Sequence, residues 1–211
     1  MDIKKKFLIC RSGGNGRIIE KKSEFIGEII PARSEAEAQA FIDSRRKQYW
    51  DARHHCYAYI TEDGTKFSDD GEPAQTAGKP MMDILENAGV HDLVLVVTRY
   101  FGGTLLGTGG LVRAYQAAAK AALENCELAE CLDGVELTYE LPYDLYGTLQ
   151  RMNANIVFSE FAECVKIRLV VPCNEKDNFM KKISEASNGN TLPLDEKPIK
   201  LIKINDRIEV L

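Results

Sequence analysis

The segment that decides the fold is residues 93–123, which read LVLVVTRYFGGTLLGTGGLVRAYQAAAKAAL. Its first nine residues are almost continuously apolar or β-branched, a pattern typical of a strand that is covered on both faces. Five glycines then fall within the twelve residues that begin at Arg99. An alanine-rich helical pattern follows, so we predict a buried strand, a glycine-rich turn and a helix from about Leu111 to Asn125.

The preceding residues predict a mixture of further strands and helices. We expect strands over residues 25–32 and 55–62, a run of turn residues over 62–73, and helices that open at Ser34 and Pro80. Ser34 is followed three residues later by a glutamate, which is the spacing of a capping box. These residues therefore predict an α+β domain around the central strand.

The chain changes character after Asp133-Gly134. Its pattern there predicts a strand over 135–141, a helix over 142–152, two strands over 155–172, a helix over 173–187 and a final strand over 192–204. This βαββαβ order is the ferredoxin-like arrangement. The sequence thus predicts a two-domain α+β protein, with an N-terminal domain over residues 1–133 and a ferredoxin-like domain over residues 134–211.

Composition narrows the class of protein. The 211 residues are 45% hydrophobic and 28% charged, the mixture of an ordinary globular chain. The net charge of −5 argues against a protein that coats nucleic acid, because such binding neutralises many phosphates with Lys and Arg. A local basic patch remains compatible with this net charge.

The apolar runs, the cysteines and the histidines of the chain bear on its location and on metal binding. The N-terminal residues contain a short basic run but no apolar core of signal-peptide length, and no apolar run approaches the length of a membrane span, so we expect neither feature. The six cysteines form no C-x-x-C pair and the three histidines lack ligand spacing, so we expect reduced thiols, no zinc site and a cytoplasmic location.

The glycine turn, residues 102–110, has two interpretations. Amides at a glycine-rich turn before a helix can surround an anion, and the helix dipole favours negative charge there. The same glycines could serve only for turning and close packing. A P-loop is excluded because Leu111 follows the last glycine where lysine is required. The candidate anion-binding residues are Arg99, Gly102, Gly103, Gly107, Gly109, Gly110 and Arg113.

The acidic turn, residues 68–73 (SDDGEP), places three carboxylates within four residues. They could hold a magnesium ion, in part through water. Alternatively, the segment is a solvated turn built on Asp70-Gly71. The candidate residues here are Ser68, Asp69, Asp70, Glu72, Thr76 and Lys79, with Asp69 and Asp70 as the metal ligands.

Two further groups carry candidate residues. Strand alternation sends His54 and Cys56 to one face, which allows a catalytic thiol or, alternatively, buried hydrogen-bonded side chains. Arg99 lies in an apolar run beside Tyr100 and Phe101, and a buried arginine needs a carboxylate or an anion as partner. The acidic turn offers the nearest carboxylates, so a structural ion pair is the alternative to a functional one.

Three segments, DARHHCYAYI, SDDGEPAQTAGKPMMDIL and VLVVTRYFGGTLLGTGGLVRAY, resemble the IMPACT family, also called the YigZ-like family. The resemblance covers residues 15–125, and residues 135–205 resemble the small second domain of bacterial members. The family pattern often has Asn at the position of His55 and Ser-Gly at the positions of Ala74 and Gln75.

The resemblance implies a fold and a set of partners. It implies, for the N-terminal domain, the α/β sandwich of a ribosomal small-subunit protein and of galactokinase-type kinases, and for the second domain the C-terminal fold of elongation factor G. Eukaryotic relatives restrain the response to amino-acid starvation by means of an additional domain, so that role is not carried across. A link to translation or nucleic acid is what the resemblance implies here.

Two functional hypotheses follow, beside the purely structural one. In the first, the chain is a non-enzymatic binding protein for the ribosome, RNA or a translation-related protein, linked to translation or stress regulation. It predicts a basic patch of Arg99, Arg113, Lys120 and Lys79 near the glycine turn. In the alternative, the chain is an enzyme or sensor for a small phosphorylated or anionic metabolite. That hypothesis predicts a concave pocket in which the acidic turn and the glycine turn face each other.

Overall fold

A computed structural model describes residues 7–189, 191–204 and 207–211. The described residues divide into two compact units, residues 7–129 and residues from 130 onward. Each unit combines helices with a β-sheet. The two-domain α+β organisation expected from the sequence is confirmed.

The N-terminal unit is built on a five-stranded antiparallel sheet. In chain order its elements are β1 (Phe7–Ser12), β2 (Gly14–Glu20), β3 (Ser23–Pro31), α1 (Glu35–Gln48), β4 (His54–Thr61), β5 (Gly64–Ser68), α2 (Gly78–Ala88), β6 (Val90–His91), β7 (Leu93–Tyr100) and α3 (Thr108–Glu124). The sheet order is β2-β3-β7-β4-β5, and β1 pairs in parallel with β6.

Strand β7 is the centre of this unit, as its apolar sequence predicts. Val94 and Val96 pack in a cluster with α1, whereas Leu95 and Val97 pack in a cluster with α2 and α3. Because side chains alternate along a strand, Arg99 lies on the same face as Leu95 and Val97. The strand therefore carries a charged side chain towards α3 at its carboxyl end.

The structure corrects several boundaries. Residues 64–68, expected within a run of turn residues, form the edge strand β5, because their backbone pairs antiparallel with β4. Helix α3 begins at Thr108 rather than at about Leu111, since Gly107 at its N-cap takes a positive φ of 73°. Strands β1 and β2 were not predicted.

The C-terminal unit has the expected ferredoxin-like topology. Its elements are β8 (Glu127–Leu141, which enters from the first unit), α4 (Tyr143–Arg151), β9 (Ile156–Phe161), β10 (Val165–Pro172), α5 (Lys176–Ala186), β11 (Asp195–Ile204) and a further strand β12 (Arg207–Val210). The antiparallel order β9-β10-β8-β11 is the ferredoxin-like one, extended by β12. Strand β8 begins eight residues before the predicted start at 135. It runs unbroken through residue 133, and a domain boundary at that residue stays a prediction.

Candidate functional site

A pocket of about 500 Å³ lies in the N-terminal unit where the acidic turn and the glycine turn face each other. Its apolar lining is Pro73, Phe101, Leu105, Leu106 and Leu111, and its other lining residues are Arg53, His54, Glu72, Arg99, Gly107 and Thr108. The geometry agrees with the concave site that the small-ligand hypothesis predicts.

A buried ion pair lies among the lining residues. Nη1 of Arg99 is 2.6 Å from Oε1 of Glu72, and the two side chains are only 7% and 3% exposed. The same carboxylate oxygen accepts a hydrogen bond of 2.8 Å from the hydroxyl of Tyr115 on α3. The ring of Phe101 covers the guanidinium at 5.6 Å. The carboxylate that the sequence required for Arg99 is therefore Glu72.

The guanidinium of Arg99 is not fully satisfied. Its Nη2 makes only a long contact of 3.5 Å to Ser23 Oγ, which also accepts a hydrogen bond from the Gly102 amide. Its Nε is buried and has no hydrogen-bond partner among the described residues. Since almost all buried polar groups in proteins are paired, an unpaired donor on a pocket-lining side chain calls for an explanation.

The buried network continues to Cys56. Its Sγ donates to the carbonyl oxygen of Asp69 at 3.0 Å and lies 3.3 Å from the Tyr115 hydroxyl. Burial raises the pKa of the Cys56 thiol, and burial likewise raises the pKa of Tyr115. A thiol that keeps its proton is a poor nucleophile, so this geometry does not favour the catalytic interpretation of Cys56.

Asp69 holds the acidic turn against the first turn of α2. Its Oδ1 accepts hydrogen bonds from the amides of Ala77 at 2.9 Å and Gly78 at 2.8 Å. Its Oδ2 accepts one from the amide of Gln75 at 2.8 Å. Asp69 therefore supplies the acceptors that a helix N-terminus needs, although it lies well before the helix in the sequence.

Asp70 is engaged in the same way. Its Oδ2 accepts a hydrogen bond of 2.7 Å from the amide of His55, and its Oδ1 pairs with Arg46 at 3.0 Å. Ser68 Oγ accepts a hydrogen bond from the amide of Asp70. Within the described ranges, no group of three His, Cys, Asp or Glu side chains could hold a metal ion. Magnesium at Asp69 and Asp70 stays a prediction that this geometry does not favour.

His54 and His55 have different surroundings. Nδ1 of His54 lies 2.9 Å from the carbonyl oxygen of Asp70. A carbonyl only accepts, so Nδ1 carries a hydrogen in this contact. His55 is buried against Thr98, and burial lowers its pKa. Of the two histidines, only His54 lines the pocket.

The glycine turn contains two positions that require glycine, and it leads into a helix N-terminus that has no side-chain cap among the described residues. A side chain at Gly102 would collide with the backbone of Lys22, so the close approach requires glycine. Gly107 requires its positive φ at the N-cap of α3. No side chain in the described part of the chain caps that helix, and its first residues lie at the pocket. The turning and close-packing interpretation therefore applies at Gly102 and Gly107, and anion binding by the amides of the turn stays a prediction.

Two exposed arginines lie near that helix end. Arg53 lines the pocket, and a side chain at Gly109 would meet Nη1 of Arg113 at 3.6 Å. Neither Arg53 nor Arg113 has a hydrogen-bond or ion-pair partner within residues 7–189, 191–204 and 207–211. Unpaired cations beside an uncapped helix N-terminus produce a positive local potential.

Other candidates lie apart from the pocket lining. Lys79 pairs with Asp83 at 2.8 Å on its own helix, and the Tyr100 hydroxyl donates to Asp51 at 2.8 Å. The Thr76 hydroxyl donates to a carbonyl oxygen three residues earlier. Two members of the predicted basic patch therefore do not contribute free positive charge at the surface, because Lys79 forms a salt bridge and Arg99 is buried.

Four lining residues, Arg53 and the three leucines, are not among the sequence candidates. The sequence does contain one signal for the apolar lining. Leu105 and Leu106 are an apolar pair inside a glycine-rich turn, and they fit neither a helical nor a strand pattern.

Comparisons with known proteins agree with this organisation. Residues 21–123 match the Impact N-terminal domain, and residues 140–190 match a domain of unknown function (DUF1949). The chain is 37% identical to the IMPACT family member YigZ of Escherichia coli, over 81% of this chain and 88% of that protein. It is 32% identical to the IMPACT family member YvyE of Bacillus subtilis, over 88% of each.

A solved structure is also similar. The crystal structure of a hypothetical protein matches with a TM-score of 0.59 and 32% identity, over 97% of this chain and 100% of that one. No helix in the described ranges has the length and apolarity that crossing a bilayer requires.

Proposed function

The chain belongs to the IMPACT family, and from that premise we propose that its N-terminal domain is a binding domain that holds a small anionic ligand in the pocket. The observation that carries the proposal is the pocket itself, formed where the acidic turn meets the uncapped N-terminus of α3. A helix N-terminus attracts anions through its free amides and its dipole.

The charges near the pocket support an anion rather than a cation. Glu72 and Arg99 neutralise each other, because they form a close buried pair. Arg53 and Arg113 add positive charge at the mouth and beside the first turn of α3. The excess of positive charge complements a ligand with one or two negative charges.

The proposal is for binding rather than catalysis. The candidate nucleophile, Cys56, is buried and its pKa is raised. Nδ1 of His54 is hydrogen-bonded to a backbone carbonyl and not to a nucleophile. These contacts suit recognition of a ligand and supply no activated nucleophile.

A second candidate is supported by the C-terminal domain. Phe158 on β9 is 40% exposed, and the guanidinium of Arg168 lies 4.9 Å over its ring. RNA-binding sheets use exposed aromatic rings and arginines for base stacking. We therefore retain binding to RNA, the ribosome or a translation-related protein as the alternative. The link to translation or stress regulation and the cytoplasmic location stay predictions from family and sequence.

Thermal stability measured with a panel of compounds tests the proposal. The panel contains inorganic phosphate, phosphorylated metabolites, organic acids, nucleotides and short RNAs, each with and without magnesium. A compound that binds only the folded state at a hundredfold excess over Kd adds about 2.7 kcal/mol to the unfolding free energy. We expect a shift with a small anion that Arg53→Ala removes and Arg33→Ala, outside the pocket, preserves. Shifts with RNA alone, fading steeply with salt, would favour the alternative.

A further inference from the structure

We propose that the ligand of the pocket is an organic acid or monophosphate ester with one anionic group and an apolar body. This inference rests on the proposed function and specifies its ligand. Its basis is the contrast between an apolar wall and a small, localised excess of positive charge in one cavity.

The apolar wall is exposed to solvent at the pocket mouth. Leu105 is 83% exposed and Phe101 is 47% exposed, while Leu106 and Leu111 continue the same surface inwards. Exposed apolar side chains gathered around a concave site indicate binding of an apolar group. An inorganic anion has no apolar part, so its binding would leave these apolar side chains exposed to water.

The positive charge is too limited for a polyphosphate. Arg53 is the one cation of the lining that has no partner in the described part of the chain, and Arg113 lies close by. A nucleoside triphosphate would need more cations or a bound magnesium ion. The carboxylates of Asp69 and Asp70 already accept hydrogen bonds and ion pairs from the protein.

The pocket also discriminates against a zwitterion. Glu72 is the carboxylate of the lining, and Arg99 and Tyr115 already occupy its Oε1. A ligand ammonium group would enter a site with excess positive charge and would lose its hydration there. An acid should therefore bind more tightly than the amino acid with the same apolar body.

The helix end is not the sole source of donors among the described residues at the pocket. Arg99 lines the pocket, is 6% exposed, and has a buried Nε without a partner among the described residues. The pocket therefore offers an anion the amides at the start of α3 and two lining guanidinium groups, those of Arg53 and Arg99, whose hydrogen-bonding capacity the protein does not use in full. The anionic group is therefore placed at the start of α3, with the apolar body against the leucines.

The test is isothermal titration calorimetry of the full chain with matched ligands. The series is acetate, 3-phenylpropanoate, phenyl phosphate, phenylalanine and ATP without magnesium. We expect 3-phenylpropanoate or phenyl phosphate to bind at least about tenfold more tightly than acetate, since the ring adds buried apolar area. Phenylalanine and ATP should each bind about tenfold more weakly than the better of these two. Comparing the two phenyl compounds distinguishes a carboxylate site from a phosphate site.

Two variants assign the binding to the pocket. Arg53→Ala should weaken every anion by about tenfold, whereas Leu105→Ala should weaken the phenyl compounds and leave acetate unchanged. Both side chains are exposed, so the folded state should be retained. If ATP or acetate binds more tightly than the phenyl compounds and Arg53→Ala removes that binding, the ligand class is wrong and the anion pocket stands. If nothing binds, or Arg53→Ala changes nothing, the proposed function fails as well.

Discussion

Arg99 and Glu72 form a buried ion pair whose Nη1 and Oε1 atoms are 2.6 Å apart. The arginine is on the central strand β7 and the glutamate is in the acidic turn, so one contact fixes this turn against the sheet. The same contact neutralises the inner part of the pocket. Any excess charge that a ligand meets therefore comes from residues nearer the mouth and from the end of α3.

Replacing Glu72 should destabilise the fold strongly. Glu72→Gln leaves Arg99 as an unpaired buried charge, and loss of one partner of such a pair costs about 3–5 kcal/mol. Urea unfolding measures the change. The control Asp83→Asn breaks the exposed pair with Lys79 and should cost less than about 1 kcal/mol. Equal losses in both variants would contradict the structural role of the buried pair.

Asp69 should stabilise the protein without a metal. Asp69→Ala removes the acceptor of three backbone amides at the start of α2, which should cost about 2 kcal/mol in unfolding free energy. Magnesium should leave the Tm of the unmodified protein unchanged. A rise in Tm with magnesium that Asp69→Ala abolishes would instead support the predicted metal site.

Gln75 is a strained position. Its φ is 63°, in the left-handed region where side chains other than glycine, asparagine and aspartate are unfavourable. Gln75→Gly should stabilise the protein by about 1 kcal/mol. The matched change Ala74→Gly, at a residue without a positive φ, should destabilise it by a few tenths to about 1 kcal/mol. Differential scanning calorimetry compares the two, and a lower Tm for Gln75→Gly would refute the argument.

Stability should fall at alkaline pH through the network of Cys56 and Tyr115. Burial raises the pKa of both groups, so the folded protein holds these protons more tightly than the unfolded chain. The contribution of Cys56 is complete below the ordinary thiol pKa and is lost as pH rises above about 8.5, whereas that of Tyr115 is lost only above about 10, the ordinary tyrosine pKa. Above its own ordinary pKa, each group lowers the unfolding free energy by up to about 1.4 kcal/mol per pH unit.

Urea unfolding between neutral and alkaline pH measures this dependence. Cys56→Ala should give a shallower decline than the unmodified protein, because it removes one of the two groups. Cys173→Ala, at an exposed thiol, should follow the unmodified protein. Identical profiles for Cys56→Ala and the unmodified protein would count against the buried thiol.

Much of the fold could be predicted because its signals are local. The apolar run of β7 and the alanine-rich α3 identify the central strand and its covering helix. The predicted N-cap at Ser34 is also confirmed, because the amide of Glu37 donates a hydrogen bond to Ser34 Oγ. Strand β5 was missed because it is an edge strand of sequence GTKFS, with one apolar residue, and is held by pairing with β4 rather than by an apolar pattern.

The site was less predictable because it depends on contacts distant in sequence. Charge alone required a carboxylate for Arg99 but could not choose Glu72 over Asp69 or Asp70. That choice follows from the three amides that Asp69 accepts and from the contact of Asp70 with β4. The apolar wall could not be predicted, because it depends on the path of the glycine turn. That path brings Leu105 and Leu106 to the pocket.

The central claim is that this pocket binds an anion at the start of α3. The most direct measurement is a titration of the isotope-labelled full chain with phenyl phosphate, followed by the backbone amide resonances. We predict saturable shifts that are largest at Thr108, Gly109 and Gly110 and that Arg53→Ala weakens. Shifts confined to the C-terminal domain, or no saturable shift in this turn with any anion of the series, would contradict the claim.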